Sequence, residues 1–242
     1  MNQLATPTRS SKINMKNLQF LANTELFKSL SDTQLTRISQ DIIPRRYAQG
    51  EVIFREGDPG EVLYMVKSGQ VRIFINGFDG SETSVILFGR SGEIFGELAV
   101  IDGLPRSATA VAISPTTLYI IERQAFSRHM RQMPQLSFNF MHELTKKVRY
   151  NTRQMDSLTS LPVPQRLARK LMELAQNYGR VEEIGVYIDM ALTQSQLASL
   201  IGATRESTNK GLREFRQRDW ILVENGHITI LDPEALRAQI TA

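Results

Sequence analysis

Glycines divide the middle of this chain into short runs of β-forming residues. Five of them, at positions 57, 69, 80, 92 and 103, follow one another at intervals of 11 or 12 residues. The runs rich in valine, isoleucine and aromatic residues cover positions 52–54, 63–66, 71–75, 84–88, 109–113 and 118–121. Short strands at this regular spacing indicate an antiparallel sandwich or barrel, and we predict a jelly roll. No alternation of strands with helices is present, which argues against a doubly wound nucleotide-binding fold.

Helical periodicity precedes and follows this β-rich part. Ser31 and Gln34 form a capping-box pattern ahead of an apolar helical stripe. After Pro134, apolar residues spaced by three and four predict a long helix over residues 136–161; this seam consists of Met141, Leu144, Val148, Asn151, Met155 and Leu158. We interpret the seam as a parallel dimer interface, although it could also pack on the β-rich domain of its own chain. The polar Asn151 either sets the helix register or faces a ligand.

Composition excludes several kinds of chemistry. The 242 residues include no cysteine, which excludes disulfides, thiolate metal sites and cysteine nucleophiles and suits a cytoplasmic location. The histidines at positions 129, 142 and 227 are too far apart to form a metal-ligand pattern. There is no run of about 18 apolar residues, so we expect no membrane span. The polar residues 1–16 predict a disordered tail.

The net charge of +4 does not by itself indicate a nucleic-acid partner. Residues 162–242 contain ten basic and ten acidic side chains, so this part is formally neutral. Within it, residues 204–218 contain five basic side chains and two acidic ones. A basic face is therefore expected only locally.

The first motif with clear chemical potential covers residues 95–109, with the sequence FGELAVIDGLPRSAT. The free amides of a helical turn that starts after Gly96, together with the guanidinium of Arg106 and the hydroxyl of Ser107, could hold a phosphate. The carboxylate of Glu97 only accepts hydrogen bonds, which suits a sugar hydroxyl. The alternative is a simple loop ion pair between Glu97 and Arg106.

The second motif covers residues 192–212 and predicts a helix-turn-helix. Thr193 and Gln196 form a capping box for the first helix, Gly202 permits the turn, and Thr204 can cap the second helix.

Polar residues at the start of that second helix are candidates for contact with base edges. They are Arg205, Glu206 and, one turn later, Lys210. The alternative is an ordinary solvated helix face. Two apolar runs flank Asn225 and Gly226, a hairpin signal that predicts a wing beside the helix pair.

Residues 95–109 resemble the phosphate-binding cassette of cyclic-nucleotide-binding domains, which occur in cyclic-AMP-dependent kinase regulatory subunits and bacterial cyclic-AMP receptor proteins. The resemblance implies that Glu97 binds the ribose 2′-hydroxyl and that Arg106 and Ser107 bind the cyclic phosphate, with backbone contributions from Gly96 and Leu98. Well-known cyclic-AMP receptors hold adenine with a Thr-Ser pair on the dimer helix. Those positions fall on Asn151 and Thr152 here, which still allows adenine because both side chains donate and accept.

The C-terminal part resembles the winged DNA-binding domain of the cyclic-AMP receptor and fumarate–nitrate regulator family. That resemblance implies contacts of Arg205, Glu206 and Lys210 with a TGTGA-like half-site, with lysine where well-known relatives have arginine. The full predicted DNA-binding set is Thr193, Thr204, Arg205, Glu206, Ser207 and Lys210. The cysteines of the oxygen-sensing branch are absent, which excludes that branch.

These observations together predict an α+β protein: a jelly-roll cyclic-nucleotide-binding domain over residues 17–135, a dimerisation helix over 136–161 and a winged helix-turn-helix domain over 162–242. The expected function is a homodimeric transcription regulator, not an enzyme, with cAMP as effector and double-stranded DNA as partner. The resemblance adds RNA polymerase as a partner, through exposed loops such as residues 77–82 and 180–185. One alternative is an effector-independent family member with a vestigial cassette; another is a cyclic-nucleotide sensor that acts on a protein partner.

Overall fold

The structure is a computed structural model that describes residues 15–77 and 82–241. Most of the predicted tail and most of the loop at residues 77–82 lie outside the described residues. Helix α1 (Met15–Ala22) begins two residues before the predicted end of the tail, and its Leu21 is buried in the core. A 3-10 turn (Glu25–Phe27) and α2 (Asp32–Gln40) follow. The predicted capping box is confirmed, because the Gln34 amide donates to the Ser31 hydroxyl at 3.3 Å.

The β-rich part forms two four-stranded antiparallel sheets, which confirms the predicted jelly-roll class. In chain order its elements are β1 (Ile42–Tyr47), β2 (Val52–Phe54), β3 (Val62–Ser68), β4 (Val71–Asn76), β5 (Glu82–Phe88), β6 (Ile94–Phe95), helix α3 (Glu97–Asp102), β7 (Thr109–Ala112) and β8 (Thr116–Glu122). One sheet has the order β1-β8-β3-β6 and the other β2-β7-β4-β5. Their inner faces share an apolar core that includes Leu118 and Ile120.

Two strands of this part, β1 and β6, were not predicted. Strand β1 contains Pro44 and two arginines, and of its six residues only Ile42 is fully buried. It lies at an edge of its sheet, where proline is tolerated because one side needs no ladder hydrogen bonds. Strand β6 has only two residues and forms by pairing with β3, a contact that local sequence does not encode.

The long helix is confirmed. Helix α4 (Arg123–Gln132) leads into α5 (Pro134–Ser160), which has 27 residues. Proline is favourable at its first turn, where no intrahelical amide bond is lost. The buried Leu136 and Phe140 attach its first turns to the core that α1 and α4 also cover. Further along α5, the Lys147 ammonium donates to the Ile94 carbonyl of β6 at 2.9 Å.

The C-terminal part has its own apolar core. The elements of this C-terminal part are α6 (Val163–Tyr178), β9 (Gly179–Glu182), β10 (Gly185–Ile188), α7 (Gln194–Leu200), α8 (Arg205–Gln217), β11 (Ile221–Glu224), β12 (His227–Ile230) and α9 (Pro233–Thr241). The predicted wing is the β11–β12 hairpin, whose turn residues Asn225 and Gly226 have φ of 50° and 80°. The β9–β10 hairpin, where a loop was expected, extends the same sheet in the order β11-β12-β10-β9.

A buried polar cluster joins α5 to α6 across the bend at Pro162. The ammonium of Lys170 is 2.8 Å from the Glu173 carboxylate and 3.2 Å from the Tyr150 hydroxyl. Gln154 donates to the same carboxylate at 3.0 Å. Burial lowers the pKa of Lys170 and raises the pKa of Tyr150. These bonds fix the angle between the two helices.

Within the described residues, no helix combines the length and the apolar character needed to cross a membrane.

Candidate nucleotide pocket and nucleic-acid interface

A cavity of about 220 Å³ opens between the β4–β5 hairpin, α3 and α5. Its apolar wall comes from both sheets, and its polar groups come from the cassette and from α5. The polar lining residues are Glu97, Arg106, Ser107, Lys147 and Asn151. The backbone of Gly96 and the side chain of Leu98 also line it. The structure therefore brings together six of the seven predicted nucleotide-binding residues.

Gly96 is needed at the entrance to α3. Its φ of 73° is left-handed, and a Cβ there would lie 2.6 Å from Nη1 of Arg106. A side chain would be strained and would also displace the guanidinium. Glycine therefore allows the turn, the start of α3 and the arginine to approach one another.

The guanidinium of Arg106 is buried and forms no ion pair with any carboxylate in the described part of the chain. It donates to the backbone carbonyls of Gly96 at 2.7 Å and Val62 at 2.8 Å, and it stacks on the ring of Phe54 at 4.4 Å. Its Nε atom is buried without a hydrogen-bond partner among the described residues. Burial lowers the pKa of Arg106, although nearby Tyr64 and Glu97 oppose that shift. A positive charge in this setting favours an anion in the adjoining cavity.

Glu97 does not pair with Arg106 as the alternative interpretation of the motif proposed. Its carboxylate is buried and lies 2.8 Å from the ammonium of Lys147 on α5. Lys147 also donates to the Ile94 carbonyl at 2.9 Å. The lysine was missed in the sequence, where the signal was its position one helical turn before Asn151. The ion pair ties the cassette to the long helix.

The two positions expected to hold a base separate in the structure. Asn151 lines the cavity, whereas Thr152 does not. The Thr152 hydroxyl is exposed and donates to the Val148 carbonyl of its own helix at 3.0 Å. Of these two side chains, only that of Asn151 can reach a ligand in the cavity of its own chain.

The helix-turn-helix has the predicted caps. Thr193 accepts from the Gln196 amide at 3.1 Å, and Thr204 accepts from the Ser207 amide at 3.1 Å. The turn between them contains Gly202 with a φ of 57°. Arg166 of α6 donates to the Gly202 carbonyl at 2.9 Å and thereby caps the end of α7. The hydroxyls of Thr193 and Thr204 thus cap the starts of α7 and α8.

The first turns of α8 present an exposed polar face. Arg205, Glu206, Ser207 and Lys210 are all exposed, and in the described residues neither Arg205 nor Lys210 forms an ion pair. The opposite side of α8 is buried through Thr208, Leu212 and Phe215. Because the buried face anchors the helix, the exposed face can enter a groove without rearrangement. This geometry fits a recognition helix better than a helix stabilised by surface ion pairs.

Helix α5 also carries an exposed apolar stripe. It consists of Phe138, Met141, Val148, Met155 and Leu158. Val148 and Met155 belong to the predicted seam, and in this single chain they are 64% and 68% exposed. Leu144, another seam residue, instead packs against the core of its own chain.

Comparison with known proteins agrees with both motifs. Residues 44–133 match the cyclic nucleotide-binding domain family, and residues 165–239 match the Crp-like helix-turn-helix domain family. The CRP-like cAMP-activated global transcriptional regulator of Mycobacterium tuberculosis is 31% identical over 218 residues, which cover 90% of this chain and 97% of that protein. The cyclic AMP receptor protein of Thermus thermophilus is 29% identical over 212 residues, which cover 87% and 94%. The fold is similar to that of the c-di-GMP responsive global regulator CLP of Xanthomonas campestris, with a TM-score of 0.71, 24% identity and coverage of 83% of this chain and 99% of that one.

The ion pair between Glu97 and Lys147 gives a stability prediction. Lys147→Met leaves a buried carboxylate without its cation, so we expect the free energy of unfolding in urea to fall by about 1–3 kcal/mol. Lys146→Met is the matched control, because Lys146 is half exposed and its pair with Glu143 lies at the surface. The double variant Lys147→Met/Glu97→Gln should recover most of the loss. Equal effects of the two lysine substitutions would contradict this account of the pair.

Proposed function

Because the chain belongs to the cyclic-AMP receptor protein and fumarate–nitrate regulator family of bacterial transcription regulators, we propose that it is a homodimer whose affinity for DNA is controlled by cAMP. The observation that carries this proposal is the buried, unpaired guanidinium of Arg106 beside a cavity with Ser107 at its rim. In this function the protein is a regulator in the cytoplasm and has no catalytic role. The relative from Mycobacterium tuberculosis is itself a cAMP-activated global transcriptional regulator.

The cavity suits a cyclic nucleotide in charge and polarity. Arg106 and Ser107, with the backbone of Gly96 and Leu98, would hold the phosphate, whose single negative charge offsets the buried cation. Glu97 would accept a hydrogen bond from the ribose, while the Lys147 ammonium, 2.8 Å away, holds the Glu97 carboxylate in place. The apolar wall, which includes Ile73 and Val85, offers a surface for the base. The bound nucleotide supplies the charge and the contacts that join the β-rich domain to α5.

The choice of cAMP rests on Asn151 and on the relatives. The side-chain amide of Asn151 both donates and accepts, as the edge of an adenine requires. The relatives from Mycobacterium tuberculosis and Thermus thermophilus are named for cAMP. Thr152 lies on the exposed side of α5, from which it could reach the ligand of a second chain. In this arrangement each adenine is held by Asn151 of one chain and Thr152 of its partner.

The DNA-binding surface is the exposed start of α8. Arginine donates two hydrogen bonds to guanine, and glutamate accepts from cytosine, so Arg205 and Glu206 suit a TGTGA-like half-site. Lys210 lies one turn further on the same face and would contact a third base, while Ser207 and the capping residues Thr193 and Thr204 would lie near the phosphates. Two copies of the unit would occupy successive major grooves of a pseudo-palindrome.

The apolar stripe of α5 would form the dimer interface. Paired helices would bury Val148 and Met155, which water otherwise contacts, and set the spacing of the two recognition helices. We assign residues 17–135 to the effector domain, 136–161 to the dimerisation helix and 162–242 to the DNA-binding domain, and we propose RNA polymerase as a further partner. The effector must bind the DNA-competent state more tightly than the other state, because equal affinity would shift no population.

The nucleotide site is tested by Arg106→Lys. Lysine cannot reproduce the two-pronged bonds to the Gly96 and Val62 carbonyls, so we expect cAMP affinity in calorimetry to fall at least about tenfold. Arg131→Lys, an exposed arginine of α4, is the control and should leave affinity unchanged. Absence of cAMP binding by the wild-type protein would contradict the proposal. Full DNA affinity without nucleotide would favour the effector-independent alternative.

The recognition helix is tested by Arg205→Ala. Loss of a base contact should cost about 1–3 kcal/mol of binding free energy and relax specificity at one operator position, measured by fluorescence anisotropy on a set of single-base operator variants. Arg237→Ala, at an exposed position of α9, is the control. If Arg205→Ala changes binding to no DNA sequence, the cyclic-nucleotide sensor with a protein partner becomes the better explanation.

The dimer interface is tested by the double variant Val148→Lys/Met155→Lys. Two charges on each stripe should prevent the helices from pairing, so sedimentation velocity should show a monomer where the wild type is a dimer. His142→Lys places the same charge on α5 outside the stripe and should leave the dimer intact. A dimer that survives the double variant would move the interface away from α5.

A further inference from the structure

Strand β5 has one edge without a strand partner, and helix α7 of the DNA-binding domain lies against that edge. β5 is the outermost strand in the order β2-β7-β4-β5, so the amide of Ser84 and the carbonyl of Glu82 point away from the sheet. The hydroxyl of Ser199 accepts from the Ser84 amide at 2.6 Å and donates to the Glu82 carbonyl at 2.6 Å. One side chain of α7 thus bonds the two backbone groups that a neighbouring strand would bond.

We propose that Ser199 is a positioning residue which docks the helix-turn-helix on the edge of β5 and thereby transmits occupation of the nucleotide cavity to DNA binding. This inference rests on the proposed function and names the contact through which, in one chain, the two domains communicate.

The β5 side of this contact is held in place by other residues of the β-rich domain. Arg72 of β4 is buried; it pairs with the carboxylate of Glu82 and donates to the Ser84 hydroxyl at 3.3 Å. Its guanidinium also lies 4.3 Å from the ring of Phe74. The Ser84 hydroxyl is 2.9 Å from the Ser199 hydroxyl, so the buried arginine and the helix share one hydrogen-bond network. The backbone that Ser199 recognises is therefore held from both sides of β5.

Two further bonds between the domains lie along the same face. The Tyr178 hydroxyl donates to the Leu87 carbonyl at 3.0 Å, and the Gln70 amide donates to the Asp189 carbonyl at 2.6 Å. The side chain of Leu87 itself is part of the apolar core of the DNA-binding domain. Docking at Ser199 is thus one end of a continuous contact that orients α6 and α7 together.

The same strand lines the nucleotide cavity. Val85 and Ile86 of β5, with Ile73 and Ile75 of β4, form part of its apolar wall. A ligand that fills the cavity reduces the motion of the β4–β5 hairpin. A less mobile β5 backbone binds the Ser199 hydroxyl more tightly. The coupling is reciprocal, so docking of α7 should in turn favour the ligand.

The docked arrangement leaves the DNA-binding face free. Ser199 is on α7, whereas Arg205, Glu206 and Lys210 point into solvent from α8. Docking therefore fixes the orientation of the recognition helix without covering it, and the docked state is the DNA-competent one. Loss of the contact should weaken the response to nucleotide and should not release DNA binding from inhibition.

The test is Ser199→Ala in the full-length protein, with DNA affinity measured by anisotropy with and without saturating cAMP. The gain in DNA affinity that cAMP produces should fall about five- to tenfold, as expected for the loss of two neutral hydrogen bonds. Hydrogen exchange of the backbone amides at residues 82–88 should accelerate, and cAMP should slow that exchange in the wild type more than in the variant. Ser199→Thr, which retains a hydroxyl, should restore both readouts.

Ser195→Ala is the matched control, because Ser195 is an exposed serine one turn earlier on α7. It should leave the gain and the exchange unchanged, and equal melting temperatures would exclude global unfolding. An unchanged gain in Ser199→Ala, or tighter DNA binding without nucleotide, overturns the role of Ser199. If wild-type DNA affinity does not respond to cAMP, the proposed function fails. In that case the docking role of Ser199 is tested by DNA affinity without nucleotide, which Ser199→Ala should still lower about five- to tenfold. An unchanged DNA affinity of the variant would refute the docking role.

Discussion

The guanidinium of Arg106 is buried, and no carboxylate among the described residues forms an ion pair with it. Such a charge is costly in a medium of low polarity unless hydrogen bonds and nearby groups compensate for the lost water. Here two backbone carbonyls and an aromatic ring supply that compensation. These neutral groups orient the guanidinium and do not neutralise its positive charge. The left-handed Gly96, the short α3 and the strand that carries Val62 are all needed to build this environment, so much of the β-rich domain serves one side chain.

Helix α5 connects that environment to everything else. Its first turns are anchored in the core through Leu136 and Phe140, and about two turns further along, Lys147 reaches Glu97. Its outer side carries the apolar stripe, and its end is joined to α6 by the buried cluster around Lys170. A displacement of this helix cannot remain local, because the pocket, the stripe and the bend share one rigid element. The contact of α7 with β5 is a second connection between the β-rich domain and the DNA-binding domain.

Much of the architecture was predictable because it follows local rules. Alternating β-rich runs, the Asn225–Gly226 turn and the capping boxes at Ser31 and Thr193 depend on residues close together in sequence, and each appears where it was expected. Strands β1 and β6 were missed, because they form by pairing with strands that are distant in the sequence. The β9–β10 hairpin was also missed, since a loop was expected there; β10 is held in the sheet by its pairing with β12. The two sites show the same division. The cassette residues Gly96, Glu97, Arg106 and Ser107 could be named from their spacing, whereas the partner of Glu97 could not.

The sequence by itself determined the kinds of chemistry available. It placed an acid and an arginine nine residues apart in a glycine-bounded turn, arranged a capped helix pair beside a wing, and provided no cysteine. Only the tertiary structure decided which charges meet. Glu97 pairs with Lys147, so that no described carboxylate pairs with Arg106. Asn151 faces the cavity while Thr152 does not, and Ser199 meets the edge of β5. The physical reason is that ion pairs and buried hydrogen bonds depend on distance in space: Lys147 is 50 positions from Glu97, and Ser199 is 115 positions from Ser84 and 117 from Glu82.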